Sequence, residues 1–328
     1  MNEITVQDIP AEIAKRLQEH PAGRNKRVHT KIFIDTSDFT AIDYGDIIFV
    51  DDRYFLVVAF MKEGRFGIDE QPKPWVPKVL DLASGIKYII KLVFHETYDV
   101  SIGGLKVNCF RNPEKEARVL ELVQDHPHFM HGKNVEDEAG NLVRILDIID
   151  GNRLDKFVYR KNERHRDYFE IDFPEILKKF LTSVKAISLL HENGLNHGDI
   201  RRDHIFVDRR DGLFRWIDFD YDFYIPERPF ALDLFGLGSV LLFLMGRKTF
   251  RPQDVLRHPD MGEKVLATLG EDDLALLSQD RIFNLGKLFP YIPVDLNNIL
   301  LHFAVGTPVF YDSVNEFYDD LARAAEAL

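Results

Sequence analysis

Between residues 46 and 150 the apolar positions come in short runs cut by turn residues. DIIFV and YFLVVAF stand on either side of Asp51-Asp52-Arg53, VPKVL and YIIKLVF flank residues 81–87, and LVRILDII follows a turn at Ala139-Gly140. Runs of this length, rich in Val, Ile, Leu and Phe and bounded by Asp and Gly, predict strands. One helix interrupts them: Asn112 can cap it, Pro113 fits its first turn, and KEARVLELV sets Val119, Leu120 and Val123 on one face. Beyond Gly151 the period lengthens. PEILKKFLTSVKAISLLHENG carries Leu177, Phe180, Leu181, Val184 and Ile187 at helical spacing and stops at Gly194. LDLFGLGSVLLFLMG is apolar nearly all round, which predicts a helix buried inside the second half. VDLNNILLHF gives another helix, and a last one starts at Ser313, which stands at capping-box spacing from Glu316. The pattern predicts an α+β fold of two lobes: residues 1–45 an N-terminal extension of one helix and a basic linker (HPAGRNKRVHTK), residues 46–151 a strand-rich lobe, and residues 152–328 a helical lobe. A cleft where two lobes meet is the expected place for a ligand.

Composition narrows the function classes. A chain of 328 residues, 45% hydrophobic, can bury a sizeable core. Its 54 acidic and 42 basic residues leave a net charge of -12, which repels a phosphate backbone at long range and argues against nucleic acid as a partner. The single cysteine, Cys109, excludes an internal disulfide framework and fits a reducing compartment; within KVNCF it reads as a packing residue. The first twenty residues carry early acidic groups and no long apolar core, unlike a signal or transit peptide, and the longest apolar runs fall far short of the roughly 20 residues a membrane span needs. A soluble, cytoplasmic chain with no membrane partner is expected.

Several charged residues stand where packing alone would not put them. Lys91 lies inside YIIKLVF, so its ammonium needs an anionic partner or a route to solvent. Glu116 shares a helical face with Val119, Leu120 and Val123 and can meet it. Within HGDIRRDHIFVDRRDGLFRWIDFD, from His197 to Asp220, Asp199 follows a helix end, two short strands (IFV and FRWI) turn at Asp211-Gly212, and Asp218 ends the second. Asp199 and Asp218 are thereby presented at neighbouring termini. Asp218, Asp220 and Asp222 imitate the start of a calcium loop, but Phe223 and Pro229 occupy positions where such a loop needs Gly and Glu.

The order Lys91, Glu116, HGD (residues 197–199), DFD (residues 218–220) and DLFGLGSVLLFLMG from Asp233 resembles the eukaryotic-type protein kinases, including the bacterial serine/threonine ones. The resemblance implies a β-rich N-lobe, a mainly helical C-lobe and transfer of the ATP γ-phosphate to a hydroxyl. By it, Lys91 holds the α and β phosphates, Glu116 orients Lys91, Asp199 positions the substrate hydroxyl, Arg201 contacts the transferred phosphate, and Asp218 binds magnesium. KEGRFG (residues 62–67) resembles the glycine-rich loop with Gly64 and Gly67 retained, and the backbone of Asp147 to Ile149 resembles the adenine-binding hinge. Asp233 resembles the aspartate that braces the catalytic loop.

Departures from the pattern matter as much. His204 takes the position of a second metal-binding asparagine; an imidazole is a poor magnesium ligand, so manganese or a single metal enters the expectation. Asp220 replaces the last glycine of the motif and adds a carboxylate to the expected metal set. Ile89 narrows the adenine pocket, and IDEQPKPW (residues 68–75) is an insertion ahead of a strand resuming at Val76. Fourteen residues, FDYDFYIPERPFAL, separate Asp218 from Asp233, too few for a long activation segment. Phe310 or Tyr311 stands where the arginine that pairs with that segment's glutamate belongs. Two rivals follow: a pseudokinase that binds nucleotide as a scaffolding module, and a small-molecule kinase whose hydroxyl-bearing substrate is a metabolite.

Overall fold

The computed structural model describes residues 9–24, 30–65, 68–102, 105–258, 261–277 and 280–328. Its strands, in chain order, are β1 (Ile32–Phe33), β2 (Ile47–Val50), β3 (Arg53–Arg65), β4 (Ile68–Asp81), β5 (Lys87–Lys91), β6 (Thr97–Ile102), β7 (Leu105–Arg111), β8 (Gly132–Glu136), β9 (Leu142–Asp147), β10 (Gly151–Arg153), β11 (Ile205–Asp208), β12 (Phe214–Trp216) and β13 (Tyr221–Phe223). The chain divides into two compact units, one of Met1–His95, Glu116–Asp125 and Met130–Ile149, the other of Glu96–Lys115, His126–Phe129 and Asp150–Leu328.

The first unit is a seven-stranded sheet in the order β1-β2-β3-β4-β5-β9-β8. Successive residues of a strand point to opposite faces, and here both faces are covered. Phe55 and Val57 of β3, with Ile48 and Val50 of β2, enter the main core around Trp75, Val79, Ile90, Leu92, Val143 and Ile145. Leu56 and Ile47 turn the other way, against Ile9, Ile13, Leu17 and Ala22. That second cover explains why IIFV and YFLVV read as unbroken apolar runs rather than alternating ones. The helix Ala11–Glu19 supplies it, and Arg16 ties it to the sheet by donating from Nη1 to the Leu82 carbonyl at 2.8 Å. The basic stretch expected as a linker opens with a helical turn, Pro21–Arg24; its residues 25–29 lie outside the described residues.

The expected insertion is strand. β4 begins at Ile68 rather than at Val76 and pairs with β3 through three register shifts, which let Pro72 and Pro77 sit in the ladder. Trp75 is buried, stacked on Phe94 with ring centroids 3.9 Å apart.

In the second unit the helix Ala231–Gly246 is buried along most of its length, as its all-round apolar character requires. It stops at Arg247, in the left-handed region with φ 58°. The amphipathic helix Phe173–Glu192 is followed by Gly194 at φ 68°, and the last helix, Val314–Ala325, is capped by Ser313, whose hydroxyl accepts from the Glu316 amide at 3.2 Å. Two three-stranded sheets complete the unit, β10-β11-β12 and β13-β7-β6. Among the described residues, no helix is long and apolar enough to cross a membrane.

Candidate functional site

Lys91 ends β5, buried at 5% exposure, and its Nζ donates to Glu116 Oε1 at 2.8 Å. Glu116, fully buried, sits on the helix Pro113–Leu122, whose start is set by Asn112: its Oδ1 accepts from the Lys115 amide at 2.9 Å. The other Glu116 oxygen lies 3.2 Å from Arg144 Nε, a contact of charge rather than an aligned hydrogen bond. Arg144 is the cross-strand partner of Lys91 in the β5–β9 pairing. Two cations directly opposite on adjacent strands repel, and the Glu116 carboxylate, in contact with both, offsets that repulsion. Arg144, which the sequence reading passed over, carries the same signal as Lys91: one charge inside an apolar strand run.

Of the other residues expected in this unit, Gly64 lies in β3 and Gly67 lies outside the described residues. Asp147 ends β9, and its amide already donates to the His131 carbonyl at 2.9 Å. Ile149 follows in a non-regular stretch and is half-buried.

In the second unit the HGD loop is built on Asp233. This carboxylate, fully buried in the first turn of the helix Ala231–Gly246, accepts from the amides of His197 (2.7 Å) and Gly198 (2.8 Å) and from His191 Nε2 (2.9 Å). Burial alone would raise its pKa; the hydrogen bond and charge of His191 more than offset that and hold it below the usual carboxylate range. Gly198 adopts φ 88°, and a Cβ there would meet the Tyr221 carbonyl oxygen at 1.7 Å, so only glycine fits. Gly236 does the same service from below, where a Cβ would lie 2.6 Å from Ile200 Cβ. His197 is fully buried against Trp216 and Phe219, and burial pushes its pKa down to about 3.

On this frame Asp199, Arg201, His204 and Asp218 come together. His204 Nδ1 donates to the Asp199 carbonyl at 2.9 Å and lies 3.4 Å from Asp199 Oδ2; His204 Nε2 lies 3.7 Å from Asp218 Oδ2. Arg201 Nη2 donates to His204 Nε2 at 2.7 Å, which assigns the neutral Nδ1–H tautomer. Arg201 Nε is also 3.5 Å from Asp199 Oδ1. Burial raises the Asp199 pKa, with the Asp218 charge adding to the rise and the Arg201 charge opposing it. Asp218 has φ 67°, a left-handed conformation that costs about 1–3 kcal/mol and persists only where surroundings impose it.

The expected metal set does not assemble as written. The His204 Nε2 lone pair is taken up by Arg201, and Asp220 is buried in an ion pair with Arg111, Oδ2 to Nη1 at 2.6 Å. Among the described residues, no group of three or more His, Cys, Asp or Glu is arranged to hold a metal. Asp218 is the most exposed of the three, with 15% of its side chain accessible.

Two residues absent from the sequence reading matter here. Lys115, buried, donates from Nζ toward Asn196 O, Asn196 Oδ1 and His197 O, each at 3.0 Å, and toward Tyr221 O at 2.6 Å. In the charged string PEKEAR nothing marks it as an inward residue. Arg228, within the segment between Asp218 and Asp233, pairs with Asp312 at 2.9 Å, both side chains exposed.

No family model matches the chain. Among curated proteins it is similar to a putative ribosomal protein S6 kinase alpha-2 of Caenorhabditis elegans, 28% identical over 35% of this chain and 14% of that protein. It is also similar to mouse sperm motility kinase 2B, 26% identical over 49% of this chain and 36% of that protein. A third is the C. elegans death-associated protein kinase dapk-1, 25% identical over 49% of this chain and 11% of that protein. The matches thus span little more than a third of these relatives' length at most. The Mycobacterium tuberculosis PknI kinase domain aligns with 82% of this chain and 96% of its own at 15% identity and a TM-score of 0.47, a likeness too slight to carry an argument. With strand lysine, helix glutamate, HGD and DFD in their order along it, and kinases among the curated proteins it matches, the chain is similar to protein kinases.

Proposed function

We propose that the protein is an ATP-dependent phosphotransferase that moves the γ-phosphate to a hydroxyl, with serine or threonine of a protein as the first substrate class. The observation that carries the reading is the Lys91–Glu116 pair: a lysine that could have snorkelled to solvent is instead buried and held at 2.8 Å by a carboxylate. An ammonium fixed in that way is preorganised to meet phosphate oxygens without reorganising. Gly64 and Gly67 would give backbone amides to the phosphates. The backbone at Asp147 and Ile149 would meet adenine, the Asp147 amide being already committed to His131.

Asp199 would orient the substrate hydroxyl and take its proton. Its raised pKa, closer to neutrality than an ordinary carboxylate's, suits that task. Arg201 would neutralise the transferred phosphate. Asp218 would hold the divalent ion, magnesium or manganese, which when bound offsets charge on the phosphates. Soluble, cytoplasmic action on a protein or small-molecule hydroxyl belongs to the same proposal.

One observation favours a second reading. The imidazole of His204 is saturated by Asp199 and Arg201, which removes a metal ligand and suits a pseudokinase that binds nucleotide without turnover. Incubation with γ-labelled ATP and magnesium or manganese separates the two: transferred label supports the enzyme, whereas ATP-dependent thermal stabilisation with no label moved to protein, water or metabolite rejects it.

A further inference from the structure

Strand β13, which follows the DFD motif directly, is the third strand of a sheet whose other two strands are the hairpin β6–β7. Tyr221, Asp222 and Phe223 pair in register with Arg111, Phe110 and Cys109. The side chains repeat the attachment residue by residue. Asp220 forms the buried ion pair with Arg111, and its carbonyl accepts from the Asn112 amide at 2.6 Å. Tyr221 lies beneath the Arg111 guanidinium, 4.2 Å from carbon to ring centroid, and its hydroxyl donates to Glu96 Oε2 at 3.0 Å. Arg111 Nε reaches the same Glu96 oxygen at 3.0 Å. Asp222 accepts from Asn112 Nδ2 (3.0 Å) and Asn196 Nδ2 (2.8 Å), and Phe223 packs on Val107 and Cys109. Lys115 closes the arrangement by joining the Tyr221 carbonyl to those of Asn196 and His197.

The segment between Asp218 and Asp233 contains no serine or threonine. Of its two tyrosines, Tyr221 is already engaged. An added phosphate orders a loop by giving an arginine a strong anionic partner. Here Arg111 has a permanent one in Asp220.

We propose that residues 96–115 are a built-in clamp on the segment after the DFD motif, with Arg111 and Lys115 as its positioning residues, so that this segment keeps its place without phosphorylation. The clamp acts on the loop of Asp199 and on Asp218 through backbone it fixes; only its kinetic consequence rests on the phosphotransferase reading.

Hydrogen exchange on the full chain, treated with phosphatase, tests it. The Asp222 amide, which the register turns toward β7, exchanges at least about a hundredfold more slowly than an open loop. Arg111→Met speeds exchange at residues 220–223 by about tenfold or more while leaving residues 205–216 unchanged, and Arg111→Lys recovers part of the loss. In phosphotransfer, Arg111→Met lowers kcat by about tenfold or more and shifts the ATP KM by less than about threefold. Should Arg111→Met not fold, Tyr221→Phe, which removes only the hydroxyl donated to Glu96, speeds exchange of the same amides by about threefold. Loop-like exchange of the Asp222 amide in the untreated or phosphatase-treated chain overturns the clamp, as does unchanged exchange in both variants, or a kcat that Arg111→Met leaves intact. Protected strands in a chain that transfers no phosphate leave the clamp standing and remove the phosphotransferase reading instead.

Discussion

Two charged clusters of this chain use similar groups to different ends. In the first unit, Lys91, Glu116 and Arg144 have side chains no more than 6% exposed, and one carboxylate answers two cations. In the second, Asp199 and Asp218 keep 19% and 15% of their side chains exposed on either side of a neutral imidazole, and Asp218 is held in a left-handed conformation. The first cluster is closed to water and fixed by its own geometry, while the second is reachable and rich in carboxylate. A buried triad resists rearrangement because removing one member strands the others; part-exposed carboxylates lie within reach of a ligand. The lesson is that charge density alone does not mark a working site: the buried cluster fixes one ammonium in place, and the reachable one presents the carboxylates that would handle proton and metal.

The contrast breaks most visibly under Asp199→Asn. If the second cluster works rather than holds, label transfer falls by about 10²–10⁴-fold while the unfolding free energy moves by less than about 1 kcal/mol. The wild-type rate should also fall on acidification through a pKa above the usual carboxylate range, because burial raises Asp199 and only its ionised form takes a proton. Conversely, Glu116→Ala should cost about 3–5 kcal/mol in denaturant unfolding, since Lys91 and Arg144, opposite each other on adjacent strands, would lose the buried carboxylate both contact. A loss below about 1 kcal/mol would show that the triad is not closed to water.

A smaller effect comes from His197. Its imidazole is pushed down to about 3 in the folded chain and returns to about 6.5 on unfolding. Between those values the unfolded state binds the extra proton, so stability drops as pH falls below about 6.5, by about 2 kcal/mol at pH 5. Replacing His197 by Asn removes that share of the slope, which urea melts at pH 7.5 and pH 5 would reveal. Smallest is Asp312→Ala: it breaks an exposed pair with Arg228 and should shift stability by less than about 1 kcal/mol.

Much of this was legible in the sequence. Periodicity located most of the strands and helices, and burial logic singled out Lys91 and Glu116, because a charge inside an apolar run demands a partner; Asp233 came from the resemblance to protein kinases. The β6–β7 hairpin was legible too, though unread: TYDVSI and LKVNCF alternate on either side of Gly103-Gly104, a hairpin signal. Lys115 was not legible. Within PEKEAR it looks solvated, and its inward turn depends on carbonyls contributed by residues 81, 82 and 106 positions away. The true start of β4 was hidden by its prolines, which argue against strand until register shifts accommodate them. The ion pair of Asp220 with Arg111 was not legible, because Arg111 lies on a strand that the reading had not paired with the DFD segment.

The central claim, that the reachable carboxylates of the second unit serve phosphotransfer, is tested most directly by following γ-labelled ATP in single-turnover reactions of the wild type and of Asp218→Asn across a magnesium and manganese series. The account predicts metal-dependent label transfer by the wild type and its loss in Asp218→Asn, with both proteins equally folded. Equal transfer by the two proteins, or none by the wild type with either metal, would contradict it.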